Sequence, residues 1–348
     1  MRKFLTSMAV ASMALFGAEA WAQKKQVDVA IVGGLSDITQ FHGQFFLGIR
    51  DVLENYEGAE FKVTTYSPAG GLEDEIGMDK ILTDMATLAP DYVVFIVVHW
   101  DTVFDRLMAL QNAGTNLMIV EFAPKNAGDL KPFAWAVTDH LESGKVTGKS
   151  AAEHMCRDFP GETVKGAMFH GTAASEIGIE RMKGIAEAFP AGLAECGKKV
   201  EIVEEVFANF NRERAFQLAQ QVATAHPDIN IMFGANSNTS LGIMEGLRIV
   251  NMLDKVKITG IGGQLEELAA ICRREILTAG VRDPRGQGKN AGQAIVGHME
   301  GKPFEVMNYA PQVAVSNCEE VFAFYPVEML DNPGFKGNID ADQWKPKN

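Results

Sequence analysis

The chain has little of what most reaction chemistries require. Its four cysteines, Cys156, Cys196, Cys272 and Cys318, include no C-x-x-C pair, which excludes the thiolate spacing of zinc ribbons and thioredoxin-like redox sites. Neither 33-GG-34 nor 260-GIGG-263 completes G-x-G-x-x-G, and no GKS or GKT follows them, so no dinucleotide or nucleotide cofactor is expected. There is no G-x-S-x-G elbow, the turn that presents a hydrolase serine. His99, His140 and His170 lie near predicted strand ends without HExxH or HxxxH spacing, so no metal site is expected. A lone histidine in that position is more often a satisfied structural group. Basic charge is also scarce: 32 Lys and Arg stand against 45 Asp and Glu, for a net charge of −13. The basic footprint of a nucleic-acid binder is missing, and solubility in a crowded compartment is the plainer consequence of the charge. Beyond the N-terminal segment no apolar run reaches the roughly 20 residues of a membrane span.

What is present starts with a targeting pattern. Arg2 and Lys3 precede an apolar run over residues 4–18, and Ala20-Trp21-Ala22 has the character of a cleavage site. This is the layout of a secretory signal peptide. Residues 1–22 are expected to be removed, leaving a soluble chain from Gln23, because no lipid-anchoring cysteine stands at the cut. Losing Arg2, Lys3 and Glu19 takes the net charge from −13 to −14. In an oxidising compartment the cysteines can form up to two disulfides. Three full pairings are open, and Cys156–Cys196 is favoured because each of these residues ends a helix flanking one predicted strand.

From Val27 onward strand and helix patterns alternate. Predicted strands cover 27–32, 61–66, 92–98, 117–121, 133–137, 164–169, 200–206, 229–233, 256–261, 276–282 and 312–316. Between them lie predicted helices at 41–56, 73–88, 101–113, 143–158, 176–189, 211–225, 239–251, 265–274 and 285–300. The wholly apolar 92-YVVFIVV-98 reads as a central parallel strand covered on both faces. Such alternation implies a doubly wound parallel sheet. So many strands fit two sheets better than one, and the length suits two domains of roughly 150 residues each.

In open α/β sheets ligands sit beyond the C-terminal ends of the strands. Two facing lobes make the cleft between them the default site. The candidate residues are therefore Phe41 and His42, His99 and Trp100, and Glu121 and Phe122 in the first lobe. The second lobe offers Arg181, Phe210, Asn236, Ser237, Ile261 and Arg282. Each has a plainer reading. Phe41 suits a core as well as a cleft, Arg282 could pair with Asp283, and Asn236 and Ser237 are ordinary helix caps. Arg181 stands early in a helix, where a cation opposes the dipole, which argues for another duty. Asn236 is expected to face the cleft while Ser237 or Asn238 caps the helix.

The segments 41-FHGQFFLGIRDVL-53, 207-FANFNRERAFQLAQQVATAHPDINIMFGANSNTSLGIMEGL-247 and 258-ITGIGG-263 resemble the type I periplasmic binding proteins of the ribose-binding kind. The segments 132-PFAWAVTDHLESGKVTGKSAAEHM-155 and 258-ITGIGGQLEELAAI-271 resemble the periplasmic autoinducer-2 receptor branch of that family. The resemblance spans the mature chain. It implies two lobes that close on a ligand about three crossings, near Thr138, Arg282 and Tyr309. The lobes would comprise residues 23–137 plus 283–308 and residues 138–282 plus 309–330, with 331–348 as a C-terminal tail. It implies a periplasmic monomer that is not an enzyme and that delivers a small molecule to an inner-membrane ABC transporter permease. The alternative is a receptor for a sugar or furanosyl signal coupled to a sensor kinase; a secreted α/β enzyme is a more remote one, for want of a nucleophile–base pair. Pentose and hexose binders of this family carry an Asp-Arg pair where Glu121-Phe122 stands here and an acid at the position of Gly262. The autoinducer receptor has tryptophan in place of Ile261. With Phe41, Phe122, Phe210 and Ile261 as apolar walls, these departures point to an amphipathic ligand rather than a free sugar, such as a terpenoid or sterol alcohol or an aromatic acid.

Overall fold

The strand–helix alternation resolves into two six-stranded sheets. The computed structural model describes residues 24–33, 41–71, 74–97, 100–121, 123, 127–309, 312–325 and 327–345, apart from the side chains of Phe41, Asn308 and Glu328. The strands are β1 (Lys25–Val32), β2 (Ala59–Tyr66), β3 (Tyr92–Ile96), β4 (Asn116–Glu121), β5 (Ala134–Val137), β6 (Thr163–His170), β7 (Lys199–Phe207), β8 (Ile231–Gly234), β9 (Lys257–Gly262), β10 (Thr278–Val281), β11 (Met307–Tyr309) and β12 (Val313–Val315). The helices are α1 (Phe41–Leu53), α2 (Glu75–Leu88), α3 (Trp100–Asn112), α4 (His140–Asp158), α5 (Glu176–Glu195), α6 (Arg212–Ala225), α7 (Ser237–Ile249), α8 (Leu265–Cys272), α9 (Pro284–Glu300), α10 (Cys318–Phe324), α11 (Val327–Leu330) and α12 (Pro333–Lys336).

The first sheet runs β11-β5-β4-β3-β1-β2 with every pair parallel. The second runs β12-β10-β9-β8-β6-β7 and is parallel except where β12 meets β10. The chain passes between sheets after β5, after β10 and after β11. Strand β3 shows why both faces of a sheet must be covered. Val94 and Ile96 enter one hydrophobic cluster, and Val93 and Phe95 enter the cluster on the opposite face.

In each lobe one helix pair packs closely through glycine contacts. A Cβ at Gly144 of α4 would overlap the Arg181 carbonyl of α5, and one at Gly184 would overlap Leu141. Helices α1 and α9 meet in the same way at Gly48 and Gly288. The close approach sets His140 beside Arg181. Both disulfides lie in the second lobe, Cys156–Cys196 between the ends of α4 and α5 and Cys272–Cys318 between α8 and α10.

Four short elements, β11 and α10 to α12, escape the sequence pattern because none exceeds seven residues. The segment expected to be a tail packs on the second lobe. Phe335 of α12 is fully buried, with Phe322 and Trp344 edge-on to each other beside it.

Candidate binding site

Strand β4 of the first sheet ends in Glu121, and the chain leaves β10 of the second sheet through Arg282. Both are buried, at 3% and 4% exposure. Arg282 Nη2 donates to Glu121 Oε1 at 2.6 Å, so an ion pair joins the lobes at the C-terminal ends of their strands. His42 Nε2 lies 3.2 Å from the same oxygen. Glu121 takes φ 78°, a left-handed conformation that costs a side-chain-bearing residue about 1–3 kcal/mol and persists where a site requires it. Oε2 is buried, 3.6 Å from His140 Nε2, and has no hydrogen-bond partner among the described residues. Burial opposes ionisation of Glu121, yet the Arg282 charge and the hydrogen bond from His42 hold its carboxyl well below the usual range.

His140 opens α4 directly after the first crossing and is fully buried. Arg181 Nε donates to its Nδ1 at 3.3 Å, and its Nε2 lies 3.1 Å from the Glu121 carbonyl. An arginine N–H leaves Nδ1 only the acceptor role, so Nε2 carries the proton and donates to the carbonyl. Burial and the Arg181 charge push the imidazole pKa well down and keep the ring neutral. Arg181 also donates from Nη1 to the Ala235 carbonyl at 3.2 Å. Burial and Arg282 lower its pKa to about 9.

At the junction of β8 and α7 the cap falls on Asn236 rather than on Ser237 or Asn238. Asn236 is the cap, its Oδ1 accepting from Thr239 N and Thr239 Oγ1. Ser237 is buried with its hydroxyl on Glu267, 2.6 Å away. Asn236 remains half-exposed, and the cap engages its Oδ1 alone among the described residues.

Of the four expected apolar walls, two have described side chains, and both pack against the core of the second lobe. Ile261 is 2% exposed and belongs to the core cluster of Phe233 and Ala235. Phe210 is half-buried against that cluster, in a left-handed turn (φ 56°) that lays its ring where a side chain at Gly171 would stand. Trp100 stacks with Phe104 and Trp135 within the first lobe. His99 and Phe122 lie outside the described residues, as does the side chain of Phe41. An amphipathic ligand loses its structural argument, since the side chains that converge, Glu121, Arg282, His140, Arg181 and His42, are polar. Arg282 pairs with Glu121 rather than Asp283, which caps α9 through Gly286 N.

Sequence reasoning passed over His140 as a structural histidine and overlooked Glu267, fully buried in α8. A signal existed for the latter. Ser237 and Ser240, one helical turn apart on α7, face Glu267 together, and Gly260 leaves room for it. The site offers hydrogen-bond donors and acceptors at fixed positions. Among the described residues no His, Cys, Asp or Glu group could hold a metal ion, and no helix is long and apolar enough to cross a membrane.

A family model described as a periplasmic binding protein domain matches residues 29–303. Over 268 residues the chain is 23% identical to a Rhizobium meliloti protein assigned provisionally to rhizopine binding, an alignment covering 76% of this chain and 82% of that one. A periplasmic ABC-transporter solute binding protein of Actinobacillus succinogenes, solved with D-allose, superposes with a TM-score of 0.72 at 18% identity, over 86% of this chain and all (100%) of that one. A solute binding protein of Bacillus halodurans, solved with myo-inositol, gives a TM-score of 0.72 at 19% identity, over 87% and 99% of the two chains. At such identities the structural likeness concerns the fold.

Proposed function

Since this chain belongs to the periplasmic binding protein family, we propose that it binds a sugar or cyclic polyol between its two lobes and delivers it to an inner-membrane ABC transporter. The observation that carries this reading is the buried Glu121–Arg282 pair spanning the sheets, with Glu121 Oε2 still lacking a hydrogen bond among the described residues. A buried acceptor left unpaired costs about 1–3 kcal/mol. A ligand hydroxyl donates to it, and the neighbouring guanidiniums donate back to hydroxyl or ring oxygens. Polyols present such paired donors and acceptors at close spacing, whereas a terpenoid body would leave these groups unpaired. The allose- and inositol-bound neighbours and the transport role in their descriptions support the same class. Because the first lobe holds Glu121 and the second holds Arg282 and Arg181, a ligand that bridges them stabilises the closed arrangement of the lobes. That arrangement is the surface a permease would read.

Titration calorimetry of the purified protein with D-allose, D-ribose and myo-inositol tests the reading. Saturable binding of at least one, abolished in Glu121→Ala, is the expected result. Failure of every neutral sugar and polyol, with an aromatic acid or terpenoid alcohol binding instead, would sink it.

A further inference from the structure

Among the described residues the buried carboxyls are Glu121 and Glu267, and the buried guanidiniums are Arg181 and Arg282. Glu121 and Arg282 pair directly. Among the described residues Arg181 bonds only to neutral groups, the His140 ring and the Ala235 carbonyl, and Glu267 bonds to no cation. Ser237 Oγ donates to its Oε2 at 2.6 Å, the Gly263 N–H donates to the same oxygen at 2.9 Å, and Ser240 Oγ lies 2.6 Å from Oε1. Burial pushes its carboxyl pKa up, while the two hydroxyls, the Gly263 amide and the Arg181 charge favour the ionised form.

These two unpaired ions hold opposite sides of one turn. Arg181 grips the carbonyl of Ala235, and Glu267 grips the hydroxyl of Ser237. Between them stands Asn236, the cap of the helix. Burying a lone charge is expensive, and the arrangement avoids it by setting one ion of each sign on either side of a single turn of backbone.

We propose that Glu267 is a positioning residue that sets the charge of the ligand: from behind the β8–α7 turn it balances Arg181, so that the cleft accepts a neutral polyol and discriminates against acids and amines. This rests on the reading of the cleft as a sugar or polyol site. With the balance intact, a ligand carrying its own charge is unpaired on closure. Remove either member and the surplus charge selects a ligand of opposite sign.

The test is calorimetric titration of the wild-type protein, Glu267→Gln and Arg181→Gln with D-allose, myo-inositol, D-glucuronate and D-glucosamine. The wild type prefers the neutral probes. Glu267→Gln keeps the shape, and its amide oxygen can still accept from Ser237 and Gly263 while its NH2 donates to the Ser240 hydroxyl, but it removes the negative charge, and the affinity ratio of glucuronate to allose rises roughly tenfold or more. Arg181→Gln moves the other way, raising the ratio of glucosamine to allose. Should Glu267→Gln fail to fold, the direction of the Arg181→Gln shift decides alone. Parallel loss of all probes in the folded variants would mean that Glu267 only braces the turn, and overturns the proposal. A wild type that prefers glucuronate or glucosamine over the neutral probes overturns it while leaving the polyol reading intact. A wild type that binds none of the four overturns that reading and the charge proposal with it.

Discussion

The second lobe carries both disulfides and most of the converging polar groups, Arg181, Arg282 and His140, whereas the first lobe contributes Glu121 and His42. The lobes share a parallel-sheet plan, so the difference lies in what is attached to it. In the second lobe the binding groups are cross-braced: Arg181 to His140 and Ala235, Ser237 to Glu267, Arg282 O to the Tyr325 hydroxyl. Burial together with Asp283 raises the Tyr325 pKa well above its ordinary value, so the phenol stays a donor. In the first lobe Glu121 has His42 beside it and takes Arg282 from the other side. One lobe braces its polar groups with its own contacts, and the other meets it through the Glu121 carboxylate.

The largest effect should come from cutting the contact that joins them. Glu121→Ala leaves Arg282 buried without its carboxylate, and loss of one member of a buried pair costs about 3–5 kcal/mol. Urea denaturation is expected to show that loss, and a change under about 1 kcal/mol would mean that the lobes do not depend on the pair.

Removing Cys156 and Cys196 together, as a double alanine variant, should weaken the braced lobe alone. Their separation of 40 residues corresponds to about 4 kcal/mol in the chain-entropy model, with measured values commonly lower. Hydrogen exchange is expected to quicken in β6, β7, α4 and α5 and to stay unchanged in β1 to β4. Equal quickening in both lobes would erase the distinction between them.

The smallest effect is a pH dependence. His140 has a folded pKa below its unfolded value of about 6.5, so its contribution is complete above that pH. As pH falls below about 6.5 the unfolded chain binds the proton first, and stability declines by at most ~1.4 kcal/mol per pH unit until the folded pKa is reached. Comparing wild type with His140→Asn at pH 7.5 and 5.5, the wild type should lose more. Equal losses would place the acid sensitivity in other groups.

The fold was largely legible because its signals are local and repeated. Strand β3 reads as buried from its apolar run, whereas the caps Asp139 and Asp283, which start α4 and α9 earlier than the pattern suggests, emerge only from the structure. Positions at strand ends were legible for the same reason, which is how Glu121, Arg181 and Arg282 were singled out. Direction was not. Asn236 and Ser237 are both good caps, and only the approach of Glu267 from another helix assigns the cap to Asn236. Ile261 and Phe210 are apolar residues after strands, where a core and a cleft wall look alike in sequence; only the structure shows Ile261 in the core with Phe233 and Phe210 half-exposed over Gly171.

By itself, then, the sequence determined two parallel α/β lobes, the strand ends where binding groups collect, and the absence of the common cofactor motifs, because periodicity, capping and spacing act over a few residues. Tertiary structure alone decided which charges meet. Glu121 and Arg282 are 161 residues apart and Ser237 and Glu267 are 30 apart, and no local rule connects them. A buried ion's partner is set by which backbones approach closely enough to exclude water, as glycines allow at the α4–α5 contact, and that is a property of the folded chain.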